Sequence, residues 1–328
     1  MIFRTLTFNK IFIVVGFLLF LSLTSCKKNS VLQKTIESLP IEVKVERFDH
    51  DFMQMKAEQL PYFMITYPFL FPKHIPDSIF LNRTQDPIQK MIQSSVDSVF
   101  MNFETTENNL ISLYKHIKYY RPSFVKPRLI TVYTDVDYRN RVIVTDSIVI
   151  IGIDNYLGAD HRFYQDFYKY IRKNLKKDQI VMDLADTYAA RWINEPKRNT
   201  FLAELIYQGK KLYLKDLWVP SAEDSIKIGY TKAELQWAHD NAFYIWQYFI
   251  ENELLYSTDP KLTTRFIAAA PFSRFNLELD SETPGGIGRY IGWQIVKSYV
   301  KNNDTPLLNL LQMDSQTIFN KAKFKPKK

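Results

Sequence analysis

A single cysteine, Cys26, sits directly behind an unbroken apolar run, and its placement limits what this chain can become. Ile11 to Leu21 reads IFIVVGFLLFL, preceded by Arg4 and Lys10 with no acidic residue nearby. That length suits a signal-peptide core and falls short of the ~20 residues a membrane-spanning helix needs. Leu23-Thr24-Ser25-Cys26 follows at once. Small residues before a cut and a cysteine after it are what lipoprotein processing requires, because the thiol is alkylated by a diacylglycerol before cleavage. The expectation is a signal peptide over 1–25, lipidation at Cys26, a polar tether over 26–40 and one globular domain over 41–328. With no second cysteine, no disulfide can form, so the fold has to rest on a packed core. A domain of this size can bury about three quarters of its unfolded surface. A composition of 46% hydrophobic and 15% aromatic residues with 9 glycines is that of a globular chain.

The net charge is +8, and removing Arg4 and Lys10 with the signal leaves +6. Much of the excess lies at the two ends, in Lys27-Lys28 and in Lys321, Lys323, Lys325, Lys327 and Lys328. Nucleic-acid binding would need basic residues gathered on a structured face, and export argues against it as well. Terminal lysines beside anionic lipid are the plainer account.

Residues 41–48 alternate apolar and polar, the pattern of a half-buried strand. Helical spacing follows over 54–66, 86–101 and 104–118. Two strand-like runs, 128–134 and 141–151, come next, the second turning at Thr145-Asp146-Ser147 as a hairpin. From Asp160 onward the expected elements are helices: 160–175, 179–193, 199–214, 231–251, 286–302 and 305–320. Thr231-Lys-Ala-Glu234 has capping-box spacing, and the helix it opens is apolar nearly all round from Phe243 to Ile250, which predicts burial of that half. The fold class expected is α+β and mostly helical, with a small N-terminal sheet and a helical C-terminal half.

Chemistry is harder to find. The five histidines, His50, His74, His116, His161 and His239, are too far apart for two to share a helix turn, so no two-histidine metal pair forms on one element. There is no Gly-x-Ser-x-Gly elbow and no phosphate-cradling glycine loop of Walker type. Asp183 and Asp186 share a helix face, with Glu204 on the next helix; paired carboxylates of this kind serve glycoside hydrolysis when they flank a cleft. Solvated or salt-bridged helix charges are the more economical reading. Asp280-Ser-Glu-Thr-Pro-Gly-Gly-Ile-Gly288 leads into a helix and could hold an anion at its N-terminus. The acidic residues upstream and the Pro-Gly-Gly turn favour a purely structural role.

FLAELIYQGKKLYL (201–214), LLYSTDPKLTTRFIAAAPFSRF (254–275), PGGIGRYIGWQIVKSYVKNN (284–303) and the closing KAKFKPKK resemble the B lipoprotein of gliding motility in Bacteroidota, the GldB family. The resemblance implies an outer-membrane lipoprotein required for gliding, a motility tied to the type IX secretion machinery. A more distant likeness is to zinc-protease-like (zincin) domains, which carry His-Glu-x-x-His on one helix, a third ligand before a glycine on the next, and a Gly-Ile-Gly-Tyr helix later. Here Met182-Asp183-Leu184-Ala185-Asp186 and Gln208-Gly209 stand at those places, without the histidines or the third ligand. That likeness implies a degenerate zincin fold with no metal and no other cofactor.

Three functions compete on this reading. The first is a lipid-anchored, non-enzymatic component acting through contacts with other gliding and secretion proteins of the envelope. The second is an envelope hydrolase using Asp183, Asp186 or Glu204. The third is a module gripping cell-wall glycan through Trp237, Tyr244 and Trp246, although the helical spacing of those rings favours a core role. Lys27-Lys28-Asn29 lacks the acidic run that marks surface export in this bacterial group, so the expected location is the periplasmic face of the outer membrane.

Overall fold

The computed structural model describes residues 31–194 and 199–328; the signal peptide and Cys26 lie outside them. Residues 31–37 are helical and Ile36 is buried, so the stretch read as a tether packs on the domain from there on.

Four strands make one sheet in the order β1-β2-β4-β3: β1 (Val45–Glu46), β2 (Arg128–Val132), β3 (Val142–Val144) and β4 (Ile148–Gly152). β1, β2 and β4 run parallel, while β3 is the antiparallel partner of β4. The expected hairpin closes at Thr145, whose amide donates to the Ile148 carbonyl at 2.8 Å. β2 is buried from Leu129 to Val132 because both sheet faces are covered, as parallel strands require. Ile130 and Val132 meet Phe48 and Phe52 of α1 (Phe48–Gln54) and Phe63 of α2 (Leu60–Thr66). On the other face Leu129, Val149 and Ile151 meet α3 (Pro87–Val99) and α4 (Glu104–Tyr120) through Val96, Leu110, Leu113 and Ile117. Asp86 starts α3 by accepting the amides of Ile88 and Gln89, with Pro87 in the first turn, where no amide is needed.

The C-terminal half is helical: α5 (Gln179–Trp192), α6 (Phe201–Trp218), α7 (Lys232–Asp240), α8 (Ala242–Glu251), α9 (Ile287–Asn302), α10 (Leu307–Gln312) and α11 (Ser315–Ala322). α6 joins the two cores. Leu214 and Trp218 belong to the core under the sheet, whereas Leu205, Ile206 and Leu212 belong to the core built with α8 and α9.

Several expected elements differ. The strand over 41–48 shrinks to Val45–Glu46 because α1 begins at Phe48. The expected helix 160–175 is instead a 3-10 turn at Arg162–Tyr164 and a short helix at Lys169–Arg172. There, the Tyr164 hydroxyl donates to the Asp154 carbonyl at 2.6 Å and accepts the Leu157 amide at 3.0 Å, so tertiary bonds override the helical spacing. The 231–251 helix starts with the expected Thr231/Glu234 capping box but breaks at Asn241, whose side chain donates to the Trp237 carbonyl. Its second half is one-sided: Ala242, Ile245 and Phe249 are buried, and Tyr244 and Ile250 face solvent. Likewise 54–66 and 305–320 each divide in two, the latter because Asp314 caps a new helix at Ser315.

Candidate functional site

α5 buries Ile180, Met182, Leu184, Ala185, Tyr188 and Ala189 and turns Asp183 and Asp186 toward its neighbours, as their spacing predicts. Asp183 accepts the Arg141 guanidinium in a fork, 2.5 Å from Nε and 2.9 Å from Nη2, and the Tyr156 hydroxyl at 2.9 Å. Arg141 is largely buried, which by itself would lower its pKa, yet the Asp183 carboxylate raises it above the ordinary value. Tyr156 is fully buried, and burial together with Asp183 pushes its hydroxyl well up, so it stays a proton donor.

Asp186 meets two ammonium groups from α6, Lys211 at 2.5 Å and Lys215 at 2.9 Å. Burial would raise the Asp186 pKa, but Lys215 and Lys211 outweigh it and hold the carboxyl far below its usual range. Lys215 is the more enclosed lysine; burial draws its pKa down against the pull of Asp186, and its ammonium also donates to the Lys227 carbonyl at 3.1 Å. Arg141, Tyr156, Lys211 and Lys215 were absent from the sequence reading. The available signal was the i, i+4 pair Lys211/Lys215 on a helix adjoining the i, i+3 pair Asp183/Asp186.

The structure therefore keeps Asp183 and Asp186 on one helix face but gives each its own cationic partner. Glu204 is elsewhere: it accepts from Gln208 Nε2 at 2.8 Å and lines a groove of about 550 Å³ with Asn199, Thr258 and Thr263. Met182, at a histidine place of the zinc motif, is buried in the core. Among the described residues no group of three or more His, Cys, Asp or Glu side chains is placed to hold a metal ion.

The glycine-rich lead-in to α9 is structural. Ser273 Oγ accepts the Ile287 amide at 3.0 Å and donates to the Pro284 carbonyl, while Asp280 accepts the amides of Phe275 and Asn276. The helix start thus meets a serine hydroxyl. Further along α9, Gly292 lies against α6 so closely that a Cβ there would sit 1.7 Å from the Leu205 carbonyl oxygen, and one on Gly209 would sit 2.2 Å from that of Gly292. The aromatic set divides. Trp246 packs on Phe319 and Phe324, whereas Trp237 and Tyr244 line a surface groove of about 390 Å³ with Asn241, Gln247 and Glu251.

The family model of the gliding motility protein GldB matches residues 29–326. The chain belongs to the GldB family. Membership ties it to gliding motility and, since this is a lipoprotein family, to a membrane-anchored place in the envelope. No curated protein and no solved structure gives a significant match. Among the described residues no helix is long and apolar enough to cross a membrane. In GldB terms, the family segments 201–214 and 284–303 are the two helices that meet at Gly209 and Gly292.

Proposed function

We propose that this GldB-family protein is a non-enzymatic component of the gliding apparatus and its associated type IX secretion machinery. It is held by lipid on Cys26 at the periplasmic face of the outer membrane and acts through contacts with other envelope proteins. The observation that carries this reading is the state of Asp183 and Asp186: each carboxylate is already neutralised by a cation, Asp183 by Arg141 and Asp186 by Lys211 and Lys215. A general acid or base must be free to exchange a proton near working pH. Asp186, held far below that range, is unsuited to the task. Anchoring supplies the rest of the logic, since confinement to a membrane raises the local concentration of weak partners.

The test is genetic. Deleting the gene is expected to leave cells that grow but do not spread, and the Cys26→Ser protein is expected to restore spreading poorly at equal abundance. A deletion strain that glides and secretes normally, in an organism with no second copy, overturns the proposal.

One observation favours a second reading, glycan binding. Trp237 and Tyr244 do share a groove with amide and carboxylate side chains, the combination that sugar rings stack on and hydrogen-bond to. Sedimentation of the purified protein with isolated peptidoglycan, abolished by Trp237→Ala, would favour it over pure protein contact.

A further inference from the structure

Residues 60–72 read LPYFMITYPFLFP, thirteen positions without a charge. Leu60, Phe63, Tyr67 and Phe71 fill the core on the α1 side of the sheet. Tyr62, Ile65 and Phe69 face outward, with 66%, 81% and 39% of their surface exposed. Tyr62 and Ile65 are three residues apart on α2, and Phe69 follows on the 3-10 turn Pro68–Leu70, its ring 6.4 Å from that of Tyr67. A helix apolar on both faces is one whose outer face is covered in use.

What covers it follows from where the chain is tied down. Val45 pairs with Leu129 and Glu46 with Ile130, so the stretch ahead of β1 runs beside residues 126–128. Lys126 Nζ donates to the Glu42 carbonyl at 2.6 Å, and the Arg128 guanidinium lies 5.4 Å from the Tyr67 ring centroid. This outer face and the segment leading back to the N-terminus therefore meet at the amino end of β1 and β2. That end also exposes Val125, in the loop ahead of β2, and Val31 is exposed on the N-terminal helix 31–37. Lys44, Arg121, Lys126 and Arg191 are exposed there, against Glu42 and Asp146. Five residue steps lead from Cys26 to Val31, a reach of at most about 18 Å when fully extended.

We infer that this end of the sheet, with Tyr62, Ile65 and Phe69, rests on the lipid surface to which the chain is anchored. Aromatic and aliphatic side chains enter the headgroup boundary, and the lysines face anionic headgroups. The inference rests on lipidation of Cys26. It adds an orientation: the carboxyl end of β4, where Arg141 meets Asp183 at the start of α5, is presented away from the anchoring membrane.

Acylation leaves Cys26 without a free thiol, so a cysteine introduced elsewhere is a unique labelling site. Ile65→Cys and Asp160→Cys, the latter beyond the carboxyl end of β4, carry an environment-sensitive fluorophore in the mature, natively lipidated protein. Each is reconstituted into vesicles of phosphatidylethanolamine and phosphatidylglycerol containing nitroxide lipid. The label at position 65 is expected to shift to the blue and lose most of its emission, and the label at 160 to keep its own. Both positions are exposed, and unchanged melting curves verify the fold. Protein that floats with the vesicles while the 65 label stays in water overturns this face and leaves the anchor standing. Protein that does not float lacks the anchor, and the inference falls with it.

Discussion

α6 faces two neighbours in opposite ways. Toward α9 it offers Gly209, and the helices meet backbone to backbone at Gly209 and Gly292. Toward α5 it offers Lys211 and Lys215, which cross to Asp186 on long side chains. The glycine contact fixes the distance between helices by main-chain atoms that cannot rotate aside, so it tolerates no added atom. The charged contact fixes the partner but not the distance, because lysine stems adapt. One helix thus carries a rigid seam toward the C-terminal core and a compliant one toward the sheet.

The sharpest way to break that contrast is Gly292→Ala. The added Cβ would fall 1.7 Å from the Leu205 carbonyl oxygen and 2.5 Å from its carbon, and relief requires α6 and α9 to part across a core that includes Trp293 and Leu205. Alanine favours helix over glycine by about 1 kcal/mol. Overpacking against backbone outweighs this, and a net loss above about 3 kcal/mol is expected. The urea midpoint measures it. An unchanged or raised midpoint would mean the helices do not touch as described.

Lys210, next to Gly209, places one charge at the rigid seam. Its ammonium is buried and donates to the carbonyls of Leu311 and Met313 at 3.0 and 2.7 Å, beneath the end of α10. Burial lowers its pKa to about 8 against the opposing pull of Asp314. The unfolded lysine titrates near 10.5, so between these values the unfolded chain holds more protons and stability rises with pH. The burial penalty is fully present below pH 8 and is relieved by about 2 kcal/mol at pH 9.5. Buried tyrosines such as Tyr114, with raised pKa values, act in the opposite sense above pH 10, which sets the upper limit of the window. Denaturation from pH 7 to 9.5 should therefore show a steeper rise in the wild type than in Lys210→Met, which keeps the contribution of Lys215. Parallel curves would show that Lys210 is hydrated.

These two seams were not equally legible. The α+β class, the hairpin at 145–147, α3, α4, α5 and α9 follow from periodicity and caps, since each is a local pattern agreeing with its tertiary place. The breaks at Asn241 and Asp314 depend on one side chain closing a turn against a long apolar pattern that continues past it. The segment 160–175 fails for a related reason: Phe163, Tyr164 and Phe167 have helical spacing, but Tyr164 is committed to Asp154 and Leu157. Asp183 and Asp186 could be named from sequence as a pair sharing a face. Their partners could not, because Arg141 and Tyr156 lie on a distant hairpin and loop whose approach only the fold sets. The family segments drew notice to Gly209 and Gly292 without showing that they touch.

Asp186→Asn tests the compliant seam and should have the smallest effect of the three. The amide keeps the shape and removes the charge, leaving the enclosed Lys215 and its neighbour Lys211 facing each other. Breaking a fully buried pair costs about 3–5 kcal/mol. The Asp186 side chain retains 38% exposure, so solvent screens part of this, and about 1–2 kcal/mol is expected at neutral pH. Its carboxyl is held well below the unfolded value of 3.8, so the stabilisation is fully present above that value and fades as pH falls through the folded one. Wild type and variant should therefore differ by a constant amount from pH 5 to 7 and draw together in strong acid. The double variant Asp186→Leu with Lys215→Met removes the enclosed charges together and keeps the bulk, while Lys211 is free to turn toward solvent. If the seam is compliant, the double variant should recover most of the single variant's loss, because the helices can settle at a new distance. A double variant weaker than Asp186→Asn would mean that the charges set the spacing of α5 and α6 as firmly as glycine sets that of α6 and α9.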